Sequence, residues 1–138
     1  LGYGPGIKKD DARVLHDFIQ KGLTEGKIDL LDEGDAIRAY IYITDAVEII
    51  FNILFFGKDP IYNIGVISKT TIADLAKIIG KHLNVPVNFS ANIKEKVRGA
   101  PTEVYLDMGK SEHEFGKKIF ISLEEGTKRV ISWQSKLY

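Results

Sequence analysis

Eleven consecutive residues, Ala46 to Phe56, carry only two polar side chains, Glu48 and Asn52, and these stand one helical turn apart. A helix with so narrow a polar stripe is apolar round most of its circumference and needs cover on most sides, from its own domain or from another. The run falls well short of the roughly 20 apolar residues that span a bilayer, so a membrane span is not expected. Thr44 is placed to cap this helix through its hydroxyl, which predicts a helix from Asp45 to about Phe56, stopped at Gly57 with Pro60 beyond.

Around this segment the pattern alternates between helix and strand. Val14, Leu15, Phe18, Ile19 and Leu23 recur at helical spacing, with Asp10 and Asp11 at the end where the helix dipole favours negative charge. Lys27 to Leu31 and Arg38 to Ile43 are rich in β-branched and aromatic residues and predict two strands about the turn at residues 32–35. Ile61 to Ile64 is apolar enough for a buried strand. A helix is expected over Thr71 to Leu83, with Ile72, Leu75, Ala76, Ile79 and Leu83 on one face. Val85 to Phe89 and Glu103 to Leu106 read as further short strands. Ser122-Leu123-Glu124-Glu125 is a capping box for a last helix reaching about Trp133. The fold class is α/β, without internal repeats or a linker, and residues 1–138 form one unit.

Nineteen basic and nineteen acidic side chains give zero net charge, and no local run of Lys and Arg exists. This argues against nonspecific nucleic-acid binding, which needs a cationic surplus to neutralise phosphates. With no cysteine there is no disulfide, thiolate metal site or thiol nucleophile, and the cytoplasm is the expected compartment. The chain opens on Leu1 inside a glycine-rich turn, its only methionine is Met108, and no signal peptide precedes the turn. These features carry the expectation of a fragment.

The chemistry-bearing residues are few. Gly2-Tyr3-Gly4-Pro5-Gly6 can be a phosphate cradle or a tight structural turn; Pro5 lacks an N–H and no Gly-Lys-Ser/Thr follows, which favours the turn. His16, His82 and His113 lie on separate segments without metal-ligand spacing and are expected on helix surfaces, so no metal site is expected. Asp32, Glu33 and Asp35 read as a solvated acidic turn. Arg38, opening an apolar strand, and Arg98, just before Gly99-Ala100-Pro101, each have two readings: a forked donor to a diphosphate or carboxylate, or an exposed ion pair with Asp45 or a neighbouring carboxylate. Arg13, beside Val14, has the same two readings.

In order along the chain, Tyr3-Gly4-Pro5-Gly6, Arg13-Val14 with Phe18-Ile19, residues 28–31, Arg38-Ala39-Tyr40-Ile41-Tyr42-Ile43-Thr44-Asp45, Tyr62-Asn63-Ile64-Gly65 and Leu123-Glu124-Glu125-Gly126 before Trp133 form a set. The set resembles the C-terminal, substrate-binding part of the extended short-chain dehydrogenase/reductases that process nucleotide sugars: NAD-dependent epimerases, 4,6-dehydratases such as dTDP-glucose 4,6-dehydratase, and UDP-glucuronate decarboxylases. The resemblance covers nearly the whole chain. It implies the C-terminal region of an NAD(P)-binding Rossmann-type enzyme whose Rossmann half is missing from this sequence.

The same resemblance places Arg38 and Arg98 on the diphosphate of a nucleotide-diphosphate sugar. It sets Arg13, Val14 and Phe18 near the nucleoside, Leu30 and Leu31 on the strand flanking the base, and Tyr3, Gly4 and Pro5 at the cofactor. In the parent it implies transient oxidation at the sugar C4 by NAD. The residues four positions after Tyr3, Tyr40, Tyr42, Tyr62 and Tyr105 are Ile7, Thr44, Ala46, Val66 and Gly109, so the family's Tyr-x-x-x-Lys pair is absent, as is its Gly-x-x-Gly-x-x-Gly turn. The chain is therefore expected to hold no catalytic residue, not to retain NAD by itself, and to self-associate through the face its partner half covers. A standalone α/β interaction module without ligand is the alternative.

Overall fold

The computed structural model describes residues 1–8, 11–89 and 101–138. After the short strand β1 (Gly2–Tyr3), helix α1 (Val14–Glu25) buries Leu15, Phe18, Ile19 and Gly22 and stops where Gly26 takes the left-handed conformation, φ 69°. Strand β2 (Ile28–Leu30) follows, then two two-residue strands, β3 (Ile37–Arg38) and β4 (Ile41–Tyr42), and helix α2 (Ile43–Phe56). Strand β5 (Thr70–Thr71) leads into helix α3 (Ile72–Leu83), and β6 (Val87–Phe89) comes next. Beyond residue 100 lie helices α4 (Gly109–Phe115) and α5 (Leu123–Gln134).

The strands pair in three two-stranded sheets: β1 with β4 and β2 with β6, both parallel, and β3 with β5, antiparallel. Parallel pairs need a crossover, and here each crossover carries helices, the signature of an α/β fold. The main core lies where α1, α3 and α5 meet β2. Leu15, Ile19, Ile28, Leu75, Ile79 and Val130 are almost completely buried there. Three caps act as local chemistry dictates: Thr71 Oγ1 accepts the Asp74 N–H at 3.0 Å, Asn84 closes α3 at φ 55°, and Ser122 Oγ accepts the Glu125 N–H at 3.2 Å. The reciprocal arm of the Ser122 capping box is replaced by an ion pair one turn on, from Arg129 Nε to Glu125 Oε1 at 2.8 Å.

Several sequence expectations are corrected. Helix α2 begins at Ile43, with Tyr42 as its N-cap residue and no side-chain cap, so Thr44 lies inside the first turn instead of capping it. The stretch from Arg38 to Ile43 divides into β3 and β4, which pair with different partners. Ile61 to Ile64 forms no strand, because no neighbouring strand pairs with it and side chains hold it instead. Tyr62 Oη accepts the Lys58 and Asp59 N–H groups and donates to Glu114 at 2.6 Å, and Asn63 Nδ2 donates to the Asp107 carbonyl. Glu103 makes a single bridge to Ile37 in place of a strand through Leu106. Helix α4 escaped the periodicity because its seven residues are mostly polar; its signals are Asp107, whose Oδ1 accepts the Gly109 N–H at 2.9 Å, and the left-handed Gly116. Asp10 lies outside the described residues.

The α2 helix is half covered. Asp45, Ala46 and Ile49 face inward, and Lys117 bridges Asp45 and Glu48 at 3.1 and 2.6 Å while Asp45 Oδ2 accepts the Ile121 N–H. Val47, Ile50, Phe51, Leu54, Phe55 and Phe56 stay exposed, the last three by about two thirds. Among the described residues no helix is long and apolar enough to cross a membrane.

Candidate functional site

One cavity of about 510 Å³ opens between the start of α1, the β2 strand with the loop after it, and the β3–β4 segment. That size lies within the range of small-ligand sites. Its lining gathers Arg13, Val14, Phe18, Leu30, Leu31 and Arg38, every described residue that the resemblance assigns to substrate. Arg98 lies outside the described residues, although Pro101 and Thr102 line the same cavity.

The positions follow from local structure. Helical spacing puts Val14 and Phe18 on one side of α1. Phe18 and Leu30 are buried and form wall, while Val14 and the 79% exposed Leu31 present apolar surface to an occupant. Arg38 is held by β3, where it lies opposite Thr70 on β5, and its Nη1 donates to the Ile37 carbonyl at 2.8 Å. The cavity's other cationic side chains are paired, Arg13 with Asp11 and Lys21 with Asp17, each at 2.7 Å. Arg38 has no ion pair among the described residues, and Asp45, one of its expected partners, is engaged by Lys117. Asp29, Asp32, Glu33 and Asp35 also line the cavity, along the β2–β3 loop, and the Leu1 ammonium at its edge donates to the Ala39 carbonyl at 2.6 Å.

The glycine-rich turn is a structural one. Tyr3 is buried and stacks edge-on against Tyr40 and Tyr42, at centroid distances of 6.1 and 5.5 Å. Gly4 is packed against the Ile43 side chain, leaving no room for a Cβ. Gly2, Pro5 and Gly6 are exposed, and none of the three carries a charged side chain. These residues do not by themselves fit a dinucleotide, whose diphosphate needs several convergent N–H groups. Burial also pushes the Tyr3 hydroxyl above its ordinary range and that of Tyr40 up to about 12, the direction opposite to a general base at neutral pH. Among the described residues no group of three His, Asp or Glu side chains is placed to hold a metal.

His16, expected on a surface, is 2% exposed between α1 and α5, with neither ring nitrogen hydrogen-bonded, while Gln134 Nε2 donates to its carbonyl at 3.1 Å. Helical spacing alone puts His16 beside the core face, and only the docking of α5 closes it in. Burial, the larger effect, lowers its pKa, with the Gln134 amide and Asp11 pulling the other way. A buried neutral imidazole binds its proton more weakly folded than unfolded, so stability is expected to fall as pH drops below about 6.5, the unfolded value. Thermal unfolding between pH 8 and 5 checks this: His16→Gln should flatten the decline, and an equally steep decline in that variant places its cause elsewhere.

The model of the NAD dependent epimerase/dehydratase family matches residues 1–65. A Methanocaldococcus jannaschii protein provisionally named UDP-glucose 4-epimerase is 34% identical over 128 residues, which is 91% of this chain and 40% of that protein. UDP-glucuronic acid decarboxylase 1 of Arabidopsis thaliana is 26% identical over 94% of this chain and 29% of its own length. Among solved structures, UDP-glucose 4-epimerase of Thermotoga maritima with UDP-glucose superposes with a TM-score of 0.84 at 26% identity, covering 99% of this chain and 44% of that one. The UDP-glucuronic acid 4-epimerase of Bacillus cereus, in complex with UDP-glucuronic acid and NAD, shares the fold with a TM-score of 0.82 at 23% identity, covering 99% and 43%. The chain spans about two fifths of the length of the first of these relatives. Motif order, fold and sequence agree: the chain is similar over nearly its whole length to the NAD-dependent epimerase/dehydratase family of extended short-chain dehydrogenase/reductases.

Proposed function

We propose that this chain is the C-terminal, nucleotide-sugar-binding portion of an NAD-dependent epimerase, dehydratase or decarboxylase, and that the cavity between α1, β2 and β3 takes the nucleoside diphosphate. The supporting observation is that this one cavity collects all six described candidate residues from two separate stretches of sequence. In this reading Arg38, joined by Arg98, forks onto the diphosphate, while Val14, Phe18, Leu30 and Leu31 enclose the nucleoside beside Arg13. NAD supplies transient oxidation of the sugar in the whole enzyme. This chain's residues bind and orient the nucleotide; the dinucleotide turn and the Tyr-x-x-x-Lys pair are absent from its 138 residues. The Tyr3-Gly4-Pro5 turn borders the cofactor once a dinucleotide-binding portion is in place, and that portion docks against the exposed face of α2.

Calorimetric titration of the chain tests the reading. UDP is expected to bind, NAD is expected not to be retained at micromolar concentration, and no UDP-, dTDP- or GDP-sugar should turn over. Failure of UDP and dTDP alike to bind would remove the nucleotide assignment.

A further inference from the structure

At one side of the cavity a guanidinium is held by its own neighbour. Arg13 Nε donates to both carboxylate oxygens of Asp11, at 2.9 and 3.1 Å, and Nη2 donates to Oδ2 at 2.7 Å. The same carboxylate accepts the Arg13 backbone N–H at 3.0 Å, so a single residue fixes both ends of Arg13. From this anchor Nη1 extends to the Gly2 carbonyl at 3.4 Å, joining the start of α1 to β1 along the cavity lining. The Asp11 side chain is only 18% exposed, and Arg13 holds its carboxyl well below the usual carboxylate range, so it stays ionised at physiological pH.

A guanidinium already forked onto a carboxylate has spent its charge and its best-aligned donors, yet it keeps a flat face that packs on a base or ribose. Arg38 differs, being free of any ion pair among the described residues. We infer that Asp11 is a positioning residue for the nucleotide: it sets Arg13 as a charge-neutral strut beside the nucleoside and leaves the diphosphate to Arg38. This rests on the nucleotide reading of the cavity. Nothing in the spacing Asp11-Ala12-Arg13 announces the role, because the Gly2 acceptor is eleven residues away from Arg13.

Uridine and UDP separate the two ends of the ligand. Saturation-transfer NMR titration with uridine, and calorimetry with UDP at several salt concentrations, would be run on the chain and on Asp11→Asn, Arg13→Gln and Arg38→Ala. Asp11→Asn keeps an acceptor for the backbone N–H but removes the charge; Arg13→Gln keeps the Asp11 turn intact, so one variant remains usable if the other fails to fold. Both are expected to weaken uridine about three- to tenfold, whereas Arg38→Ala should leave uridine unchanged. Asp11→Asn alone should steepen the salt dependence of UDP binding, because it frees the Arg13 charge to reach phosphate; a merely structural defect would not do this. Unchanged uridine affinity in both variants overturns the inference, as does a loss in Arg13→Gln confined to UDP. A parent chain that binds UDP yet shows no steeper salt dependence in Asp11→Asn overturns it while leaving the nucleotide reading standing; a chain that binds neither ligand removes both.

Discussion

Arg38→Ala is expected to weaken UDP binding by about ten- to a hundredfold, the equivalent of roughly 1.5 to 3 kcal/mol for a lost charge-assisted hydrogen bond. The size of the effect comes from the side chain's isolation. Its guanidinium has no carboxylate partner among the described residues, and its one described side-chain hydrogen bond goes to the Ile37 carbonyl. Arg38→Lys should recover part of the loss, because a point charge replaces a fork. Folding should change little, since β3 is held by backbone pairing with β5 and no ion pair is broken; a surface substitution of this kind stays within about 0.5 kcal/mol. Calorimetric titration with UDP and a thermal melt on the same samples decide the matter. Intact affinity with lowered stability is the pattern of a structural arginine and would sink the diphosphate assignment.

The second large effect concerns the exposed face of α2. Val47, Ile50, Phe51, Leu54 and Phe55 form a stripe at helical spacing along 14 residues, continued by Phe56 at the helix end and with Phe51 and Phe55 stacked at 6.1 Å. An apolar patch of this extent is rare on a free surface and drives association. The chain alone is expected to self-associate, and the double variant Leu54→Glu with Phe55→Glu to run as a monomer with unchanged helical content. Both side chains are about two thirds exposed, so the core loses nothing when they become charged. Light scattering coupled to size exclusion checks this. A parent chain that stays monomeric at high concentration refutes it.

Helices α1, α2, α3 and α5 were legible in the sequence because their causes are local, whereas the short, mostly polar α4 was not. Apolar spacing marked α1 and α3, the Ser122 hydroxyl lies within three residues of the N–H group it accepts, and Gly57 marks the stop of α2. The family motifs were legible for the same reason, being short runs such as Tyr3-Gly4-Pro5 and residues 38–45. Strands were not. Ile61–Ile64 and Ile41–Tyr42 are equally apolar, yet only the latter finds a partner, Gly2–Tyr3, nearly forty residues away. The depth at which His16 lies, the match of Lys117 to Asp45 and the open face of α2 depend on which helix docks where.

The candidate site divides along the same line. The family resemblance named Arg13, Val14, Phe18, Leu30, Leu31 and Arg38, while the tertiary structure brought two stretches together to make one 510 Å³ space of them. It also separated two arginines that look alike in sequence, tying Arg13 to Asp11 and leaving Arg38 without an ion pair among the described residues. Helix and cap preferences are carried by residues within a turn of one another, so the sequence by itself determined them; strand pairing, burial and the charge left free inside a cavity are sums over distant neighbours, and only the tertiary structure decided those.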